Sequence, residues 1–154
     1  MKILFLHGLE SKPGGSKVKF LEKHGYEVLN PLLPKYSWDE SLEIAQLLID
    51  TEKPDVIVGS SRGGAVALSV NTFGARMVLI APAWKRFGGN IQTALGGIVL
   101  HCRDDKYVPY EDSEELRDKT GAALITCGTD HRMNDPDALE AILDAVKWCI
   151  NEGR

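Results

Sequence analysis

The sequence predicts an α/β fold built on a mostly parallel sheet. Short apolar runs alternate with amphipathic helical segments along the whole chain. Several of those runs are apolar throughout, as strands buried on both faces are. The segments between them carry helix start signals. Ligands bind outside the carboxyl ends of the strands in such sheets, so chemistry is sought just after each strand.

The first strand is Ile3–Leu6. Its apolar stretch is too short for a signal peptide, and no small-residue cleavage site follows. A helix from about Ser16 to His24 ends at Gly25, and a strand follows at Glu27–Leu29. Ser37 and Glu40 have capping-box spacing, with Leu42, Ala45, Leu48 and Ile49 on one helical face. The third strand is Val56–Val58, and the helix after Gly63 turns Val66, Ala67 and Val70 inward. Strands follow at Met77–Ile80, Ile98–Leu100 and Leu124–Thr126, with a helix over Ser113–Lys119. Between Pro82 and Gly97 there is room for one short helix at most. Asp135 is placed as an N-cap before Pro136 at the first helical position. Leu139, Ile142, Leu143, Val146 and Cys149 then form one buried stripe.

Composition bounds the function. The 154 residues are 44% hydrophobic and 26% charged, a soluble globular profile that fits one domain over residues 1–154. The net charge of -4 argues against nucleic acid as a partner, because phosphate neutralisation needs a basic face. No apolar run approaches the roughly 18 residues of a membrane span. Cys102, Cys127 and Cys149 are widely spaced, which argues against a disulfide framework and a structural zinc site and points to the reducing cytoplasm. No metal and no cofactor is expected. Oligomeric state is not legible.

Gly59-Ser60-Ser61-Arg62-Gly63-Gly64 follows the third strand and precedes a helix. This is G-x-S-x-G in the strand–turn–helix context that the nucleophile elbow requires. The serine needs a base, and the base needs an orienting acid, in the chain order serine, acid, histidine. His101 precedes any acid site, whereas His131 lies past the last strand in a loop that can reach back over the sheet. After the fifth strand stand Asp104 and Asp105, and spacing does not choose between them. The oxyanion hole calls for the backbone amides of Arg62 and of Leu9, in the loop that Gly8 lets turn after the first strand. His7 is read as a structural ring bonded to a loop carbonyl beside the substrate pocket. Gly14-Gly15-Ser16-Lys17 has serine before lysine, so it is not a phosphate-binding P-loop.

Together these residues resemble the α/β-hydrolase superfamily. His7-Gly8 resembles its oxyanion motif, and Asp105-Lys106-Tyr107-Val108-Pro109 resembles its acid motif, which selects Asp105. Ser61, Asp105 and His131 then match its catalytic triad in order. The opening Leu6-His7-Gly8-Leu9-Glu10-Ser11-Lys12-Pro13-Gly14 is similar to small, cap-less bacterial esterases of the YqiA type. The resemblance implies a three-layer sandwich with a six-stranded parallel sheet in order 2-1-3-4-5-6 and helices on both faces. It implies hydrolysis of a small-molecule ester or thioester through an acyl-serine. Cys102 departs from the glycine common before the acid, and two N-terminal antiparallel strands of larger members are missing.

Trp84 and Phe87 either line the acyl pocket or cover the sheet edge. Lys12, Arg62, Lys85, Arg86 and Arg132 are candidates for positive charge near the mouth, suited to an anionic leaving group. Since fold does not imply function, the competing expectation is a non-catalytic binding module on the same fold.

Overall fold

Side chains along a strand point alternately to two faces, and here both faces are apolar, so the chain must supply two helical layers. The computed structural model describes residues 1–152. Its strands are β1 (Lys2–Leu6), β2 (Glu27–Leu29), β3 (Val56–Ser60), β4 (Arg76–Ile80), β5 (Ile98–His101) and β6 (Ala123–Thr126). They form one sheet in the order β2-β1-β3-β4-β5-β6, with every neighbouring pair parallel. The strand order reverses beside β1. The switch point between β1 and β3, where ligands of open α/β sheets bind, therefore carries the loop after His7 and the turn at Ser61.

One face of the sheet presents Ile3, Phe5, Val56, Val58, Val78, Ile80, Ile98 and Leu100. Val18 and Leu21 of α1 (Ser16–Lys23) and Ile142 and Val146 of α6 (Pro136–Glu152) cover it. The opposite face presents Leu4, Leu6, Ile57, Met77, Leu79 and Val99. It is covered by Ala45 and Ile49 of α2 (Trp38–Glu52), Val66 of α3 (Arg62–Ala67) and Leu116 of α5 (Tyr110–Thr120). Full burial of each such Leu, Ile or Val stabilises the fold by about 1.5–3 kcal/mol. The edge strands β2 and β6 are the two with exposed positions, and both are short.

Several boundaries differ from the sequence expectation. β3 continues two residues past Val58 because Gly59 and Ser60 keep pairing with Leu79 and Ile80. The helix after Gly63 stops at Ala67, where the Ser69 amide closes tightly on the Val66 carbonyl, so Val70 is buried from the following loop. α5 starts at Tyr110, three residues before Ser113, behind Pro109 at the N-cap. Pro82–Gly97 holds two single-turn pieces instead of one: α4 (Trp84–Phe87) and a 3-10 turn at Ile91–Ala94. Gly88 and Gly89, both at positive φ, separate them. Only half of the capping box forms. Ser37 Oγ accepts the Glu40 amide at 3.2 Å, but the Ser37 amide donates to the Pro34 carbonyl and is not free for the Glu40 side chain. At the last helix, Asp135 caps as expected, its Oδ2 accepting the Ala138 amide at 3.1 Å.

Among the described residues no helix is long and apolar enough to cross a membrane. A cleft of about 750 Å³, lined by Met1, Lys53, Phe73, Arg76 and Cys149, opens at the amino ends of the strands, at the far end of the sheet from Ser61.

α3 packs unusually close to the sheet. A Cβ on Gly63 would lie 2.0 Å from the Leu6 carbonyl oxygen, and one on Gly59 2.5 Å from the Gly63 oxygen. In both cases the clash is with backbone, which cannot yield as a flexible side chain does. The Gly63→Ala variant is expected to lose about 3 kcal/mol or more of stability, read as a lowered urea midpoint.

Candidate active site

The turn from β3 into α3 holds Ser61 at φ 54, ψ -114, a conformation an L-residue adopts at a cost of about 1–3 kcal/mol. The surrounding backbone enforces it: the Ser61 amide donates to the Ile80 carbonyl, and the Ser61 carbonyl accepts the Gly64 and Ala83 amides. The hydroxyl is thereby raised above the carboxyl end of the sheet.

Three candidate residues that are far apart in sequence meet there. His131 Nε2 lies 3.1 Å from Ser61 Oγ, and His131 Nδ1 lies 2.6 Å from Asp105 Oδ2. A carboxylate only accepts, so Nδ1 carries the proton and Nε2 is left to accept from the serine hydroxyl. The Asp105 side chain is fully buried and that of His131 is 19% exposed. Burial pushes the Asp105 carboxyl up, but the Val108 amide, His131 and the Tyr107 amide outweigh it and hold it below the ordinary aspartate value. The amides of Tyr107 and Val108 donate to Oδ1 at 2.7 and 2.9 Å. This leaves Oδ2 for imidazole. Such a line can pass a proton from serine to histidine while the carboxylate balances the imidazolium.

The amides of Leu9 and Arg62 have no partner in any turn or loop of the described residues. Gly8 lies against Ser61, since a Cβ there would stand 3.5 Å from Ser61 Cβ. His7 is buried with both ring nitrogens in use. Its Nε2 accepts the Leu33 amide at 2.9 Å, so Nδ1 donates to the Gly8 carbonyl at 2.8 Å. Burial lowers its pKa, in keeping with a neutral ring that fixes two loops.

Of the five cations expected near the mouth, Lys12, Arg86 and Arg132 are exposed, whereas Lys85 and Arg62 are engaged within the protein. Lys85 pairs with Glu115 at 2.9 Å and Asp112 at 3.5 Å. Arg62 is buried, its Nη2 donating to the Pro34 carbonyl and Ser41 Oγ, with its guanidinium 5.4 Å from the Trp38 ring and 5.8 Å from the Phe87 ring. Phe87 stacks on Trp38 at 6.0 Å, and Trp84 ties α4 to α5 through Nε1 on the Asp112 carbonyl.

Four residues have a place beside the site that the sequence did not give them. Tyr107, exposed, sets its ring 5.4 Å from that of His131. His101 lies 3.0 Å from Asp105 Oδ2, and its place four residues before the acid is the signal that could have found it. Lys17 donates to the Arg132 carbonyl and Asn134 Oδ1, clamping the His131 loop to α1. Buried Met133 pins the same loop from inside.

A model for an uncharacterised protein family, UPF0227, matches residues 2–124. No curated protein matches the chain. Among solved structures, the ydeN gene product from B. subtilis superposes with a TM-score of 0.74 at 16% identity, covering 97% of this chain and 98% of that one. MGS-MChE2, an alpha/beta hydrolase enzyme from a lagoon-sediment metagenome, gives 0.72 at 17% identity over 100% and 92%. Est1E from Butyrivibrio proteoclasticus gives 0.73 at 15% identity over 99% and 87%. The fold is that of the α/β hydrolases, in a small form without a cap.

Burial draws the Lys17 ammonium down to about 8, opposed by Asp130 and assisted by Arg132. The unfolded chain keeps that proton up to the ordinary lysine value, so between about pH 8 and 10.5 unfolding takes up a proton and stability gains with pH. The stability difference between wild type and Lys17→Met is expected to move in favour of wild type across that window in urea denaturation.

Proposed function

Because the chain belongs to the uncharacterised protein family UPF0227 and carries the α/β-hydrolase fold, we propose that it is a serine hydrolase cleaving small carboxylic esters or thioesters. The observation that carries this is the unbroken line from Ser61 Oγ through His131 to Asp105, with the serine on a strained turn.

Ser61 Oγ attacks the acyl carbon while His131 Nε2 takes its proton. Asp105 stays ionised, held by four donors, and stabilises the imidazolium through Nδ1. The tetrahedral oxyanion lies between the Leu9 and Arg62 amides, which have no turn or loop partner among the described residues. His131 then returns the proton to the departing alkoxide or thiolate, giving the acyl-serine. Water, deprotonated by the same nitrogen, releases the acid and restores Ser61. No cofactor takes part in these steps.

With only α4 and a 3-10 turn between β4 and β5, the mouth is uncapped, which suits small acyl groups and modest selectivity. Trp84 and Phe87 are its candidate walls. The three free cysteines fit a reducing cytoplasm.

A fluorophosphonate probe is expected to label the wild-type protein and not Ser61→Ala. Folded wild type that stays unlabelled would move the assignment to a binding module. Among hydrolysis variants, Asp105→Asn is expected to lower turnover by about 10⁴ with folding intact. An equal loss in Asp104→Asn, with Asp105→Asn active, would move the acid to Asp104.

A further inference from the structure

We propose that His101 is a positioning residue of this site: as a second imidazole donor to Asp105 Oδ2 it fixes the carboxylate and tempers its pull on His131. The inference rests on the triad reading above.

Asp105 Oδ2 serves two rings, with His131 Nδ1 at 2.6 Å and His101 Nε2 at 3.0 Å. His101 is fully buried. Its Nε2 faces two groups that only accept, Asp105 Oδ2 and the Val108 carbonyl at 3.1 Å, so this nitrogen carries the proton. Its Nδ1 lies 2.6 Å from the hydroxyl of Ser113, itself fully buried on α5. A neutral imidazole has one N–H, so Nδ1 accepts and Ser113 donates. Every polar atom of the ring is thus matched in the one tautomer that donates to the acid.

The surroundings keep this ring neutral. Burial disfavours its charged form, Asp105 opposes that, and His131 adds a small push in the same direction as burial. Asp105 and His131 are the charged groups that act on it. From α5 the Tyr110 ring stands 5.5 Å away, with Arg103 above that ring and the Tyr110 hydroxyl bonded to Thr126 of β6. A neutral donor is what the site needs. An imidazolium at His101 would cancel the charge of Asp105 and deprive His131 of its counter-ion. An apolar side chain would fill the space without the cost of burying two polar nitrogens, but would leave Oδ2 to His131 alone.

The sign follows. Charge on Oδ2 that is shared with His101 holds the His131 imidazolium less tightly. Removing the His101 donor concentrates that charge on His131, which then keeps its proton to higher pH. The acid limb of kcat/KM must move up with it.

The test compares wild type, His101→Phe and His101→Gln, whose side-chain amide can still donate from near the Nε2 position. Two quantities are read: the pH profile of kcat/KM on 4-nitrophenyl acetate, and the titration midpoint of the His131 ring by ¹⁵N NMR, which needs no turnover. In His101→Phe both are expected to rise by about 0.5–1 pH unit, with kcat/KM down about 10-fold or more, and Gln restores much of each. Unmoved midpoint and limb in a folded Phe variant would overturn the inference. Should that variant fail to fold, the wild-type spectrum decides. His101 is expected to be neutral, protonated on Nε2, throughout the plateau range of the kcat/KM profile. A ring that charges in that range, or carries its proton on Nδ1, overturns it. Loss of fluorophosphonate labelling alone would defeat the hydrolase reading and leave the His101 result standing.

Discussion

The close approach of α3 to the end of β1 governs the rest of the molecule. Gly59, Gly63 and Gly64 leave no room for a Cβ against neighbouring backbone or Pro82. That contact sets the sharp exit from β3, and the sharp exit sets Ser61 at positive φ. The same contact puts the first-turn amides of α3 beside the loop that follows β1. Because β1 and β3 are neighbours across the switch point, the serine and the Leu9 loop come together without any segment reaching across the sheet.

Around that turn, burial and hydrogen bonding divide charge unevenly. Asp105 is buried yet stays anionic, because backbone amides and two imidazoles solvate it in place of water. His7 and His101 are buried and kept neutral, each with both nitrogens matched, and each fixes a loop end. Of these three rings only His131 reaches the hydroxyl of Ser61. Arg62 is a buried cation stabilised by a carbonyl, a hydroxyl and two aromatic faces, which also fastens the Pro34 segment and α4 over the elbow.

Much of this was legible in the residues. Unbroken apolar runs such as Val56–Val58 and Ile98–Leu100 betray strands buried on both sides, because only a parallel sheet covered twice can hide them. The elbow is legible because G-x-S-x-G stands between an apolar strand and a helix, and because part of its steric demand, Gly59 against Gly63 and Gly64, lies within the turn itself. His131 is legible as the candidate base because chain order leaves no other histidine past the acid loop. What escaped was set by packing. α5 begins at Tyr110 because its ring and hydroxyl find His101 and Thr126. The Glu40 half of the capping box fails because Pro34 already holds the Ser37 amide. Tyr107 beside His131 and Lys17 beneath the His131 loop join segments that no spacing rule connects.

The sequence by itself determined the class of fold, the strand-by-strand placement of apolar faces and the elbow at Ser61. Each depends on periodicity, or on backbone freedom within a few residues. Asp104 and Asp105 stand side by side with the same chemistry; spacing does not separate them, and only the resemblance of Asp105-Lys106-Tyr107-Val108-Pro109 to a family motif pointed to Asp105. Only the tertiary structure decided that Asp105 turns inward, because the amides of Tyr107 and Val108 and the rings of His101 and His131 converge on its two oxygens. Those donors come from the acid loop, β5 and the loop past β6, and only the pairing of β5 with β6 brings them to one carboxylate.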